Sequence, residues 1–155
     1  MARIIGGALR AAPDGHLLDL RSGHGARVLY AMHSATCPEC RDYIRALAAN
    51  SDLLEWGGHL TILVRDSLDA ARSVYENTNG PGAQIAEVLA DPGRSVPLAD
   101  GAIAVTDEWG EVYFESPPTS GHQELPPPEE IVNWVRFVAI QCPECVNVEG
   151  DWRNV

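Results

Sequence analysis

The chain has 155 residues, long enough for one hydrophobic core and short for two, with ordinary apolar (45%) and charged (21%) content. Twenty-two acidic residues against eleven basic ones leave a net charge of −11, which argues against recognition of nucleic acid or an anionic membrane through a basic surface. All eleven basic residues are arginines, and a chain without lysine has no Walker-type phosphate loop, no Schiff base and no other lysine chemistry. No apolar run approaches the length that spans a bilayer. The first ten residues carry no apolar stretch of signal-peptide length, so the expected compartment is the cytoplasm.

Residues 1–27 are rich in Gly and Ala, with short apolar patches at Ile4-Ile5 and Leu17-Leu18-Asp19-Leu20, and read as an N-terminal lead-in. Val28-Leu29-Tyr30-Ala31-Met32 predicts a strand over 28–33. It hands over through Cys37-Pro38-Glu39-Cys40 to a helix over 41–50. Cys40, Ile44, Leu47 and Ala48 share one face of that helix by i, i+4, i+7, i+8 spacing. The pattern puts Cys40 on the core side and leaves Cys37 at the cap as the exposed thiol.

Leu60-Thr61-Ile62-Leu63-Val64 is a nearly continuous apolar run, typical of a strand covered on both faces. A helix is expected over 68–77, Asn79-Gly80-Pro81-Gly82 breaks it, and 83–89 reads as another short helix. The runs 102–106 and 111–115 flank Asp107-Glu108-Trp109-Gly110, a hairpin signal. Residues 116–128 carry five prolines and read as a long surface connection. Glu129 and Glu130 open a last helix over 129–141, whose apolar face is Ile131, Val135, Val138 and Ala139. Pro143 is expected to stop it, leaving 142–155 as a C-terminal tail. The order βαβαββα predicts a single α/β domain over 1–155, with helices on both faces of a central mixed sheet.

All four cysteines fall in two copies of one tetrapeptide, Cys37-Pro38-Glu39-Cys40 and Cys142-Pro143-Glu144-Cys145. Four cysteines do not make a secreted disulfide scaffold of a chain this long, and intracellular pairs of this spacing are redox-active or metal-binding. At a helix N-terminus the dipole and free amides favour a thiolate, so Cys37 suits nucleophilic attack and Cys40 suits resolution. Pro38 at the first helical position loses no helix hydrogen bond, whereas the Glu39 charge opposes the thiolate. His33 and Arg41 are nearby charges, and His33 reads first as a strand residue without a chemical role. Asp66 and Asp107 read as turn or cap residues, and Trp109, Tyr113 and Trp134 as packing.

Two Cys-x-x-Cys pairs also invite a four-thiolate zinc site. A helix over 129–141 is roughly 20 Å long, however, and would carry Cys142 to the pole opposite Cys37. Cys142 and Cys145 then remain a structural disulfide, a second redox couple, or a metal half-site completed by another subunit. No metal is assigned at the first pair beyond the possibility of half a zinc site.

Strand, Cys-x-x-Cys at a helix N-terminus, strand, helix, hairpin and closing helix together resemble the thioredoxin-like fold family. The lead-in over 12–22 and the hairpin over 105–112 resemble its redoxin branch of peroxiredoxin-like and thiol-disulfide proteins. The resemblance implies a three-layer sandwich whose central mixed sheet is flanked by helices. It implies a thiol-disulfide oxidoreductase with Cys37 attacking and Cys40 resolving, and a disulfide-bearing or dithiol protein as partner. No organic cofactor is implied, because the dithiol is itself the reagent. The family's cis-proline has its nearest candidate at Val96-Pro97. Thr36 stands where thioredoxin has tryptophan, and Ala31 where it has a buried acid. Tyr30 and Ser34 occupy the positions of the peroxiredoxin proline and threonine. Two alternatives stand beside this reading: a zinc-binding or protein-interaction module without exchange activity, and a peroxiredoxin-like peroxidase.

Overall fold

The Val28–Met32 run is buried at every position, and a strand with no solvent face belongs in the middle of a sheet. In the computed structural model, which describes residues 3–21, 25–79, 86–116 and 125–154, this run forms most of β3 (Arg27–Ala31). The other elements are β1 (Ala8–Ala11), β2 (His16–Asp19), α1 (Pro38–Ala48), α2 (Ser51–Glu55), β4 (His59–Val64), α3 (Leu68–Thr78), β5 (Ala86–Ala90), β6 (Ile103–Thr106), β7 (Val112–Glu115) and α4 (Pro128–Asn154). The strands form one sheet in the order β2-β1-β5-β4-β3-β6-β7. β3, β4 and β5 run parallel, and β1, β6 and β7 join antiparallel. The central mixed sheet flanked by helices matches the expectation, except that the helices, expected on both faces, pack on one among the described residues.

Several elements differ from the sequence reading, among them the short helix α2, which it did not contain. Residues 83–89 were expected to be helical, but Ala86–Ala90 is strand β5, between β1 and β4. Ala, Glu and Leu are good helix formers, yet here tertiary pairing decides. The Asn79 side chain accepts from the Ala86 amide at 2.8 Å and donates to its carbonyl at 3.1 Å, aligning the strand's first residue. The lead-in, in turn, contains the β1–β2 hairpin, which extends the sheet.

The faces of the sheet are covered differently. Val28, Tyr30, Met32, Leu60, Ile62, Val64, Val88, Ile103 and Val105 pack against Cys40, Ile44 and Leu47 of α1, Ala71 and Val74 of α3, and Ile131 and Val135 of α4. On the opposite face, Leu29, Ala31, Leu63 and Leu89 meet Ile5, Leu20, Val96 and Leu98. Among the described residues, no helix contributes to that second core. β5 and β6 lie on opposite sides of the β3–β4 pair, so their connection must cross the sheet, and it does so as an extended segment.

Charges hold that second face. Arg27, almost fully buried, bonds Thr61 at 2.8 Å and pairs with Glu87. At the other end of the strands, Arg65 donates to the carbonyls of Val96 (3.2 Å) and Leu98 (2.7 Å) and pairs with buried Asp91 (3.3 Å), tying the crossing segment down. Asp91 accepts from the amides of Ser95 and Val96. Gly110, at the β6–β7 turn, has positive φ (+85°), and a Cβ there would lie 2.2 Å from the Ile5 carbonyl oxygen. Only glycine lets the N-terminal segment approach so closely.

α4 continues to Asn154 rather than ending before Pro143. Cys142 and Cys145 therefore fall within helix, and their side chains lie outside the described residues. Among the described residues, no helix is long and apolar enough to cross a membrane.

Arg27→Ala leaves Glu87 and Thr61 without their cation on a largely covered face, and is expected to destabilise the fold by about 3 kcal/mol. A reduced urea midpoint at unchanged slope checks this; an unaltered midpoint would show that the pair carries no stability.

Candidate active site

β3 ends at Ala31, and the chain turns through residues 33–36 before α1 begins. Cys37 is the N-cap, with extended backbone (φ −67°, ψ 115°), and its sulfur accepts the Cys40 amide hydrogen at 3.3 Å. Sulfur thus takes the role usually given to a Ser, Thr or Asp oxygen. Pro38 occupies the first helical position, where its missing N–H is not needed. The approach loop is fixed by Arg41, whose guanidinium donates twice to the Ala35 carbonyl, at 2.8 and 3.2 Å. Arg41 therefore braces the loop.

The amphipathic face of α1 carries Cys40 into the core at 0% exposure, while Cys37 is half-buried above it. The Cys40 sulfur accepts the His33 amide at 3.4 Å and lies 3.7 Å from His33 Nδ1. The Tyr30 hydroxyl, on the strand beneath, is fully buried, has no hydrogen bond of normal geometry, and faces this sulfur. A negative charge on Cys40 supplies the acceptor that Tyr30 lacks.

These contacts divide the charge between the two thiols. Burial alone pushes Cys40 up, but donors from Tyr30, Cys37 and His33 outweigh it and bring the thiol down to about 6. Cys37 is pushed up to about 11, first by burial, then by its bond to Cys40, with the Glu39 carboxylate 3.5 Å away adding to the rise. Two sulfurs this close share one proton, so the values belong to the pair, and its single negative charge rests on Cys40. Burial also pushes the Tyr30 phenol above its ordinary range, so it stays a donor.

His33 reads from sequence as a nearby charge and first as a strand residue; its imidazole, Cys37 Sγ and Cys40 Sγ lie within 4.8 Å of one another. Gly101, in the loop leading into β6, makes room for it. Its amide donates to the Ala31 carbonyl at 2.7 Å, its φ is +82°, and a Cβ there would meet the imidazole at 2.4 Å. The only sequence signals for His33 and Tyr30 were their positions, four and seven residues before Cys37.

Pro97 does not play the expected part. The cis peptide among the described residues is Ala12-Pro13, in the β1–β2 turn. Pro97 is exposed between Val96 and Leu98, and Gly101 takes the place beside the end of β3. Ser34 Oγ meets Thr36 Oγ1 at 3.4 Å. Asp66 caps the Ser67 amide, and Asp107 accepts from Trp109 and Glu111 across the hairpin turn. Trp134 stacks on Phe114, and Tyr113 meets Phe137 edge-on, whereas Trp109 is 56% exposed rather than packed.

No protein-family model matches the sequence, and no curated protein matches it either. Solved structures do match. A peroxiredoxin-like protein from Aquifex aeolicus superposes with a TM-score of 0.65 at 17% identity, covering 88% of this chain and 86% of that one. Enterococcus faecalis AhpC gives 0.70 at 15%, covering 91% and 95%. An uncharacterized thioredoxin-like protein from Porphyromonas gingivalis gives 0.59 at 17%, covering 87% and 90%. At these identities the likeness is one of fold, and the fold is thioredoxin-like.

In reduced, chelator-treated protein carrying Cys142→Ser and Cys145→Ser, the ultraviolet thiolate signal is expected to rise by one thiolate as pH passes about 6 and by a second near 11. The sign follows from the lowered first value: the anion is present at neutral pH and is lost below about 6. Tyr30→Phe removes a donor and should move the first step upward; a step that stays in place would mean the charge does not sit on Cys40.

Proposed function

We propose that this protein is a thiol-disulfide oxidoreductase whose reagent is the Cys37–Cys40 dithiol. The observation that carries the reading is a half-exposed sulfur at the N-terminus of α1, directly beside a fully buried sulfur held in a shell of donors. Of these two sulfurs only Cys37 is open to another molecule's disulfide, so it is the attacking atom. Its proton passes to Cys40 as its sulfur bonds to the near sulfur of the partner, and the partner's far sulfur leaves as a thiolate. Cys40, passing that proton to the partner's departed thiolate, then attacks the Cys37 sulfur. The Cys37–Cys40 disulfide forms and the partner's second thiolate departs. The dithiol gives up two electrons and the partner's disulfide gains them.

The partner is a disulfide-bearing protein in this direction and a dithiol reductant in the return. The exposed residues Ser34, Thr36, Pro38 and Glu39 around Cys37 form the surface it would meet. Pro38 keeps the first turn helical while removing an amide that would otherwise compete for the sulfur. No organic cofactor is needed, and a reducing cytoplasm would keep both thiols available.

A second reading, peroxide reduction, has one observation behind it. Several structures of similar fold carry peroxiredoxin names, and one Xanthomonas campestris relative is described by its alkyl peroxide reduction activity. Against it, Tyr30 stands where that chemistry has proline, and Ser34 bonds Thr36.

Reduction of insulin or of an aromatic disulfide by the reduced protein is expected to fall to the uncatalysed rate in Cys37→Ser. Cys40→Ser should instead accumulate a mixed disulfide on Cys37, visible as a mass adduct that dithiothreitol removes. Full activity in Cys37→Ser would sink the assignment, and peroxide consumption dependent on Cys37 without disulfide exchange would transfer it to the second reading.

A further inference from the structure

Beyond its contact with the Cys40 sulfur His33 takes no step in thiol exchange, yet the fold holds this ring in place. Its imidazole lies against Gly101, where even a methyl group would collide with Cε1 and Nε2 at 2.4 Å, and Gly101 has the positive φ (+82°) that favours glycine. With that edge of the ring against the backbone, Nδ1 is left on the thiol side, 3.7 Å from the Cys40 sulfur.

We infer that reduced His33, Cys37 and Cys40 form a three-ligand site for zinc(II). The donor set is one imidazole nitrogen and two sulfurs, which suits this borderline-soft cation and not calcium or magnesium. The spacing fits as well. Zinc–sulfur and zinc–nitrogen bonds at a tetrahedral centre separate neighbouring ligand atoms by about 3.6–3.8 Å. The Nδ1–Sγ distance is 3.7 Å, and all three ligand atoms lie within 4.8 Å of one another, so small rotations close the triangle.

Charge balances too. Binding Zn²⁺ displaces the one proton that the reduced pair still holds, and two thiolates with a neutral imidazole leave a centre of zero net charge, which a partly buried site tolerates. Among the described residues no fourth His, Cys, Asp or Glu joins the cluster. A tetrahedral centre on these three ligands therefore has one coordination position left, as in zinc sites that bind an exogenous ligand and unlike closed structural ones.

The site exists only in the dithiol state, because a Cys37–Cys40 disulfide consumes both thiolates. Zinc and disulfide exchange are then mutually exclusive uses of the same sulfurs. The ligand geometry does not depend on exchange being the protein's activity, so the two readings can fail separately.

The test uses the full chain, reduced and stripped with chelator, then titrated with zinc sulfate and read by native mass and chelator competition. Cobalt(II) serves as the spectroscopic substitute. One zinc per chain is expected, with the cobalt form showing thiolate charge-transfer and tetrahedral bands. His33→Ala should weaken zinc binding at least about tenfold while leaving the thiol count unchanged. Cys142→Ser with Cys145→Ser should leave zinc binding intact. Equal zinc affinity in His33→Ala, loss of zinc in the Cys142/Cys145 variant, or no zinc at all would each overturn the inference. Exchange without zinc binding would do so while sparing the redox reading, and zinc binding without exchange would do the reverse.

Discussion

Burial of one sulfur organises this site. The α1 face that carries Cys40 also carries Ile44 and Leu47, and all three must reach the sheet through Tyr30 and Met32. Helix propensity is a weak constraint on where α1 docks; burial of that apolar face is a strong one. Once it docks, the Cys40 sulfur lies in a medium hostile to charge and is ringed by donors from its own helix cap, from the loop at His33 and from the strand below. Cys37 follows by helical geometry, one turn earlier at the N-cap and open to the outside. The contrast between the sulfurs arises from their depth, since the tetrapeptide itself treats them alike.

A second set of forces acts from the far side of the sheet. The segment joining β5 to β6 crosses that face without a helix, so it has no internal hydrogen-bond ladder of its own. Arg65 supplies the missing partners by donating to the carbonyls of Val96 and Leu98, with Asp91 gathering amides alongside. Arg94 and Asp100 close the network nearer the surface, at 2.6 and 2.7 Å. The segment then delivers Gly101 against the end of β3, and Gly101 seats His33. A polar brace under one face thereby orients a ring at the end of the sheet. Lysine would serve poorly here, because it lacks the planar fork with which Arg65 holds several partners at once.

Much of the fold was legible in the chain. β3, α1, β4, α3 and the β6–β7 hairpin have strong periodicity or turn chemistry of their own, and each lies within a few residues of its expected bounds. β5 was misread because Ala86-Glu87-Val88-Leu89-Ala90 is locally a helix former; only its neighbours β1 and β4 and the Asn79 clamp make it a strand. β1 and β2 are short and flanked by glycines, and strands of four residues carry little periodicity. Pro97 is exposed, and Gly101 lies against the end of β3 instead. Pro143 was expected to end α4, which runs on to Asn154.

The sequence by itself determined what is local: which residues form α1, that Cys37 caps it, and that Cys40 lies on its apolar side. These follow from hydrogen-bond accounting at a helix end and from the 3.6-residue period, which need no knowledge of the rest of the molecule. Only the tertiary structure decided which groups surround the sulfurs. The Tyr30 hydroxyl, the His33 imidazole and the space at Gly101 meet there because a parallel strand, a loop and a crossing segment converge at one end of the sheet. Charge on a buried sulfur is set by such through-space neighbours, and spacing along the chain carries no record of them.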